Sequence, residues 1–123
     1  MGDKMQTNPI TKSVAIVDKH KLMRDILSLE INKNCNDLEV VLDAQSIKEI
    51  YHVVKDAQID AIIIDSIEID LIPNIKNIAP KTKVIALSAN KSEEEKFKAF
   101  CFGADKYFEK EVRIEKLKEE ILG

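Results

Sequence analysis

Four short apolar runs constrain this chain more than any other feature. Ser13–Val17 (SVAIV) is continuous rather than alternating in pattern, as in a strand buried on both faces, and Leu38–Leu42 (LEVVL), Ala61–Ile64 (AIII) and Lys83–Leu87 (KVIAL) read as three further strands. Between them, apolar residues recur at helical spacing. Leu22, Ile26 and Leu29, widened by Met23 and Leu27, predict one helix. Ile47, Ile50, Val54 and Ala57 predict a second that starts at Ser46, and a weaker pattern covers Asp70 to Ile78. Ser92 and Glu95 stand in capping-box spacing before a helix whose predicted apolar face is Phe97, Phe100 and Cys101. Gly103 follows as a left-handed cap, Tyr107-Phe108 as a short fifth strand, and Ile114, Leu117 and Ile121 as a closing helix.

Five strand–helix units in so short a chain require parallel strands, because the connections are helical crossovers, and the right-handed rule places helices on both faces of an open sheet. In such a sheet ligands bind outside the carboxyl ends of the strands. Asp18, Lys19 and His20 follow the first strand, Asp65 the third, Ser88 the fourth and Lys110 the fifth. Two carboxylates, a hydroxyl and an ammonium are therefore expected along one edge. Taken singly, each has a plainer explanation. A lone Asp at a strand end is commonly a helix cap, Ser88 a turn residue, and Lys110 a solvated charge. His20 reads as a loop residue, since no HExxH or Cys/His cluster accompanies it. For Tyr107, Phe97, Phe100, Phe102 and Phe108, packing is the leading explanation.

At 123 residues with 45% hydrophobic side chains, the chain builds one compact domain. Residues 1–12 lack periodicity and read as a polar lead-in, so the domain is expected over 13–123. A net charge of -3 without a basic run excludes a self-sufficient nucleic-acid binder. The longest aliphatic runs are far short of the ~20 residues that cross a bilayer. With no apolar leader segment, a cytoplasmic location is expected. Cys35 and Cys101 lack CxxC spacing and are expected to be free thiols, Cys101 in the core.

The stretches AIVDKHKLMRDIL, DAIIID, KVIALSAN and GADKYFEK, in this order across residues 13–122, resemble the receiver domain of two-component response regulators. His20 after the acidic turn, and Glu111 after Lys110, are similar to the subgroup that usually carries a helix-turn-helix output domain. The resemblance implies a flavodoxin-like doubly wound (βα)5 three-layer sandwich with parallel sheet order 2-1-3-4-5. It implies a signalling module rather than an enzyme, with Asp65 as phosphoacceptor from a histidine kinase or phosphotransfer protein. Mg²⁺ would be held by Asp18, Asp65 and the backbone carbonyl of Ile67. Ser88 and Lys110 would bind phosphoryl oxygens, and Ser88 with Tyr107 would form the switch. The last two helices and fifth strand would serve a homodimer or an output domain.

The chain departs from the family pattern in two places. Lys19 stands where a second acid usually follows the first strand. It could pair with Asp65 and repel Mg²⁺, or extend into solvent and leave Asp18 with Asp65 to bind metal weakly. The segment after Asp65 is several residues short, so the loop before the third helix or its first turn is expected to be trimmed. There Glu68 reads as a solvated acid or a substitute metal ligand, and Ile67 predicts slow loss of any phosphoryl group. The alternative is a degenerate, phosphorylation-independent receiver acting as a protein-interaction module. A flavodoxin-like nucleotide or flavin binder is disfavoured, because Asp18-Lys19-His20-Lys21-Leu22 offers no glycine-rich phosphate cradle.

Overall fold

The computed structural model describes residues 11–90 and 92–123; the expected lead-in lies outside the described residues except for Thr11 and Lys12. The elements are β1 (Lys12–Val17), α1 (Lys21–Asn34), β2 (Leu38–Ala44), a 3-10 turn (Ile47–Glu49) leading into α2 (Tyr51–Asp56), β3 (Ala61–Asp65), a 3-10 segment (Ser66–Leu71), α3 (Ile72–Ile78), β4 (Lys83–Ser88), α4 (Glu93–Cys101), β5 (Lys106–Glu109) and α5 (Ile114–Leu122). All strand pairs are parallel, and the sheet order is β2-β1-β3-β4-β5. This is the doubly wound three-layer sandwich expected from the sequence. Among the described residues no helix is long and apolar enough to cross a membrane.

The continuous aliphatic runs are explained by two cores, one on each face of the sheet. Ala15, Val17, Ile62, Ile64, Val84 and Ala86 point to one face, where Ile47, Ile50 and Val54, Ile72 and Ile75, and Ala99 cover them. Val14, Ile16, Ile63, Ile85 and Leu87 point to the other, beneath Ile31 of α1 and Leu117 and Ile121 of α5. On β1, β3 and β4 successive residues alternate between the cores, so both sets must be apolar, whereas on edge strand β2 every second residue, Glu39, Val41 and Asp43, is exposed.

Two helices sit rotated from the faces predicted. In α1, Leu22 and Leu29 are 70% and 68% exposed and Ile26 is also exposed, whereas Arg24 and Ile31 are buried. The inward row is Arg24, Leu27, Ile31 and Cys35, at helical spacing. Arg24 occupies it because its Nη1 donates to the Asp18 carbonyl at 2.6 Å, while its Nε, without a hydrogen-bond partner, lies 3.9 Å from Asp43 Oδ1 as an ion pair. In α4, Phe97 is 69% exposed, Phe100, Phe102 and Cys101 are exposed as well, and Ala99 is the buried residue. The buried thiol is Cys35, not Cys101. α4 approaches the sheet through small Ala99 and through Glu95, whose carboxylate is hydrogen-bonded inward. Its aromatic residues therefore face out; Phe108, on β5, is half-buried and packs against the α1–α5 core.

Several local expectations hold. Ser46 accepts from the Lys48 N–H at 3.3 Å and caps the turn before α2, although Ala57 is an exposed C-cap and Ile59 is buried in its place. Gly103, at φ 109°, ends α4 in a Schellman arrangement, with Ala104 N–H donating to Ala99 O at 2.9 Å and Gly103 N–H to Phe100 O at 3.0 Å. After Asp65 the chain enters the 3-10 segment with no intervening loop, broken only by non-helical Glu68. Glu68 is neither a solvated acid nor at the metal cluster. Its Oε1 accepts from the Ile47 N–H at 2.9 Å, satisfying a donor at the turn before α2.

Candidate functional site

Because parallel strands share one direction, Asp18, Asp65 and Ser88 arrive at the same edge of the sheet, and Lys110 follows β5 there with its N–H donating to Ser88 O at 2.8 Å. The Lys110 ammonium lies 3.1 Å from Asp18 Oδ2 and 3.2 Å from Asp65 Oδ2. One cation thus bridges two buried carboxylates across β1, β3 and β5. Burial opposes the charge on Asp18, but the His20 backbone N–H and Lys110 outweigh it and hold the carboxyl below its ordinary value. Burial likewise opposes the Lys110 ammonium, and bonds to Asp18 and Asp65 raise its pKa regardless.

Asp65 ends β3, and its Oδ1 accepts from the Ile67 N–H at 3.2 Å, capping the 3-10 segment. Its Oδ2 remains with Lys110. Lys19 is exposed and, among the described residues, forms no ion pair, so Asp65 is partnered by Lys110 instead. The Ile67 side chain is 64% exposed.

Three residues of this edge take roles the sequence did not suggest: His20, expected as a plain loop residue, Arg24, and Glu95, expected to close a capping box. His20 donates its backbone N–H to Asp18 Oδ1 at 2.8 Å and brings Nδ1 to 3.0 Å from the same oxygen. The Asp-x-His spacing was the available signal, since an Asp side chain readily bonds the N–H two residues on. Arg24, on α1, fixes the Asp18 carbonyl from behind. Glu95 is the third. Ser92 Oγ accepts its N–H at 3.1 Å, as a capping box requires, but its carboxylate does not reach back. Oε1 lies instead 2.6 Å from Ser88 Oγ and 2.5 Å from the Tyr107 hydroxyl.

Ligand atoms of Asp18, His20 and Asp65 lie within 4.8 Å of one another, so these side chains could hold a divalent metal. The donor chemistry fits: two carboxylates suit a hard cation that retains waters, and an imidazole adds affinity for borderline metals. Such an ion would share both carboxylates with Lys110.

Fold and site together define a doubly wound domain with an acid–lysine–hydroxyl cluster at the carboxyl edge of its sheet. The response regulator receiver domain model matches residues 14–122, and the chain belongs to that family. Solved structures agree. The receiver domain of the putative response regulator NarL from Mycobacterium tuberculosis aligns with TM-score 0.84 at 17% identity, covering 94% of this chain and 99% of that one. A response regulator from Thermotoga maritima aligns with TM-score 0.80 at 25% identity, covering 92% and 99%. A response regulator from Burkholderia pseudomallei, solved with a phosphorylated aspartic acid, calcium ion and citrate, aligns with TM-score 0.77 at 16% identity; 89% of this chain covers 66% of that one. No curated protein sequence matches the chain.

Proposed function

We propose that the domain accepts a phosphoryl group on Asp65 from a phosphohistidine of a histidine kinase or phosphotransfer protein, and that the acyl phosphate switches a binding face. The observation that carries this reading is Lys110 bridging Asp18 and Asp65 at the strand ends. An Asp65 oxygen forms the new O–P bond while the N–P bond breaks; the electron pair stays on the departing imidazole nitrogen, which takes a proton. Phosphoryl transfer asks the protein mainly for positioning and charge neutralisation. Lys110 and the Ser88 hydroxyl would each bind one phosphoryl oxygen. Asp18, Asp65 and the Ile67 carbonyl would hold Mg²⁺, with His20 beside them. When bound, the metal would neutralise charge developing on the phosphoryl oxygens.

The domain works as a signalling module in the cytoplasm, and does not turn over a released substrate. Exposed Phe97 and Phe100 on α4 support a partner face built from α4, β5 and α5 that docks a second copy or an output domain. The presence of Lys19 favours a second reading, in which metal and phosphate are dispensable and the same face binds partners constitutively. Intact mass after incubation with phosphoramidate, with and without Mg²⁺, separates the two. An adduct that disappears in Asp65→Asn supports phosphorylation, and its absence under every condition supports the interaction module.

A further inference from the structure

The Ser88 hydroxyl is already committed. Its Oγ lies 2.6 Å from Glu95 Oε1 and 2.7 Å from the Asn90 carbonyl, and it accepts the Asn90 N–H at 3.0 Å. A serine hydroxyl carries one proton, and a carboxylate is the stronger acceptor of the two available. The same carboxylate oxygen takes the Tyr107 hydroxyl at 2.5 Å, and the Ser66 hydroxyl also bonds this group. Three hydroxyls, from the residue after Asp65, the end of β4 and β5, thus surround one anion carried by α4. Burial disfavours the charge on Glu95, yet these bonds hold its carboxyl below the ordinary value, so it is anionic near neutral pH.

We propose that Glu95 is an internal competitor for the Ser88 hydroxyl, so that a phosphoryl group on Asp65 can recruit Ser88 only by displacing the Glu95 carboxylate and, with it, the first turn of α4. This inference rests on the phosphoacceptor reading of Asp65. The competition follows from proton count. Ser88 cannot donate to a phosphoryl oxygen and to Glu95 at once. A second anion brought to the same hydroxyls also repels the first. Because Glu95 follows Ser92, the α4 N-cap, by one turn, its release is transmitted directly to the helix that carries exposed Phe97 and Phe100. Tyr107 stays bonded to Glu95 or turns with it. Glu95 is therefore a positioning residue that sets how readily the site closes on phosphate.

The test is a titration of the domain with beryllofluoride in the presence of Mg²⁺, followed by the backbone amide signals of Ile67 and Asn90. Glu95→Ala should need about tenfold less beryllofluoride for half-saturation than the wild type, as expected for loss of one charge-assisted competitor, and Glu95→Gln an intermediate amount. Glu94→Gln, the same charge change at an exposed neighbour, should match the wild type. In a Ser88→Ala background the Glu95 substitutions should have no effect, which a purely structural role for Glu95 would not produce. Wild-type binding unchanged in both Glu95 variants overturns the competition and leaves the phosphoacceptor reading standing. Binding that appears only once Glu95 is replaced supports it. Absence of Asp65-dependent binding in every variant overturns both.

Discussion

Lys110 Nζ lies 3.2 Å from Asp65 Oδ2, although β3 and β5, which bring the two residues together, are separated in the sheet by β4. The same ammonium holds Asp18, and its side chain is only 14% exposed. Lys110→Met would leave two neighbouring carboxylates without their counter-charge. The expected loss is about 2 kcal/mol in urea unfolding, between the values for exposed and fully buried pairs. Added Mg²⁺ should restore most of it, since the ion supplies the missing positive charge. A variant as stable as the wild type without metal would show that Lys110 does not neutralise the acids.

His20 makes the metal preference of this site testable. Its Nδ1 stands 3.0 Å from Asp18 Oδ1, a spacing that two adjacent ligands of one ion can adopt. Imidazole contributes to Mn²⁺ binding and little to Mg²⁺. By calorimetry, His20→Ala should weaken Mn²⁺ about tenfold and change Mg²⁺ about twofold or less. Equal losses for both ions would mean that His20 acts only by shaping the Asp18 turn.

Lys19 is exposed beside these acids, and Lys19→Asp changes the local charge by two units. Even screened by solvent, that change should tighten Mg²⁺ by about tenfold at low salt, and by less as salt is raised. Unchanged affinity would remove Lys19 from any account of weak metal binding.

Glu95 predicts a pH signature. Its folded carboxyl titrates below the ordinary 4.5, so its contribution to stability is complete above that value and is lost as pH falls through the lower, folded one. Tyr107, Ser88 and Ser66 bond this group directly, and Glu93 is a nearby charge that acts on Tyr107. Glu95→Gln should be less stable than the wild type by about 1 kcal/mol near neutral pH, and the gap should shrink below pH 4.5. A gap independent of pH would place the loss in packing instead of charge.

The three inner strands were legible in the sequence because burial on both faces forces continuous aliphatic runs, whereas edge strands β2 and β5 carry Glu39 and Lys106 within or beside their apolar residues. The site acids were legible for a related reason: a charge ending such a run has to emerge at the sheet edge. The helix faces were less so. Arg24 stands on the inward row of α1 with its Nη1 bonded to the Asp18 carbonyl, and Glu95 on the inward side of α4 with its carboxylate bonded to hydroxyls. A hydropathy pattern assigns both residues to solvent, which rotated each predicted face. Partners supplied by distant strands are invisible to local periodicity, and that also hid Glu68 at the turn before α2.

The phosphoacceptor role of Asp65 can be located directly. Borohydride reduces an acyl phosphate to an alcohol, so treatment after phosphoramidate and Mg²⁺ should convert the phosphorylated side chain to homoserine, which peptide mass spectrometry locates. Homoserine is expected at position 65 and at no other aspartate. Reduction elsewhere, or none while the fold is intact, would contradict that role.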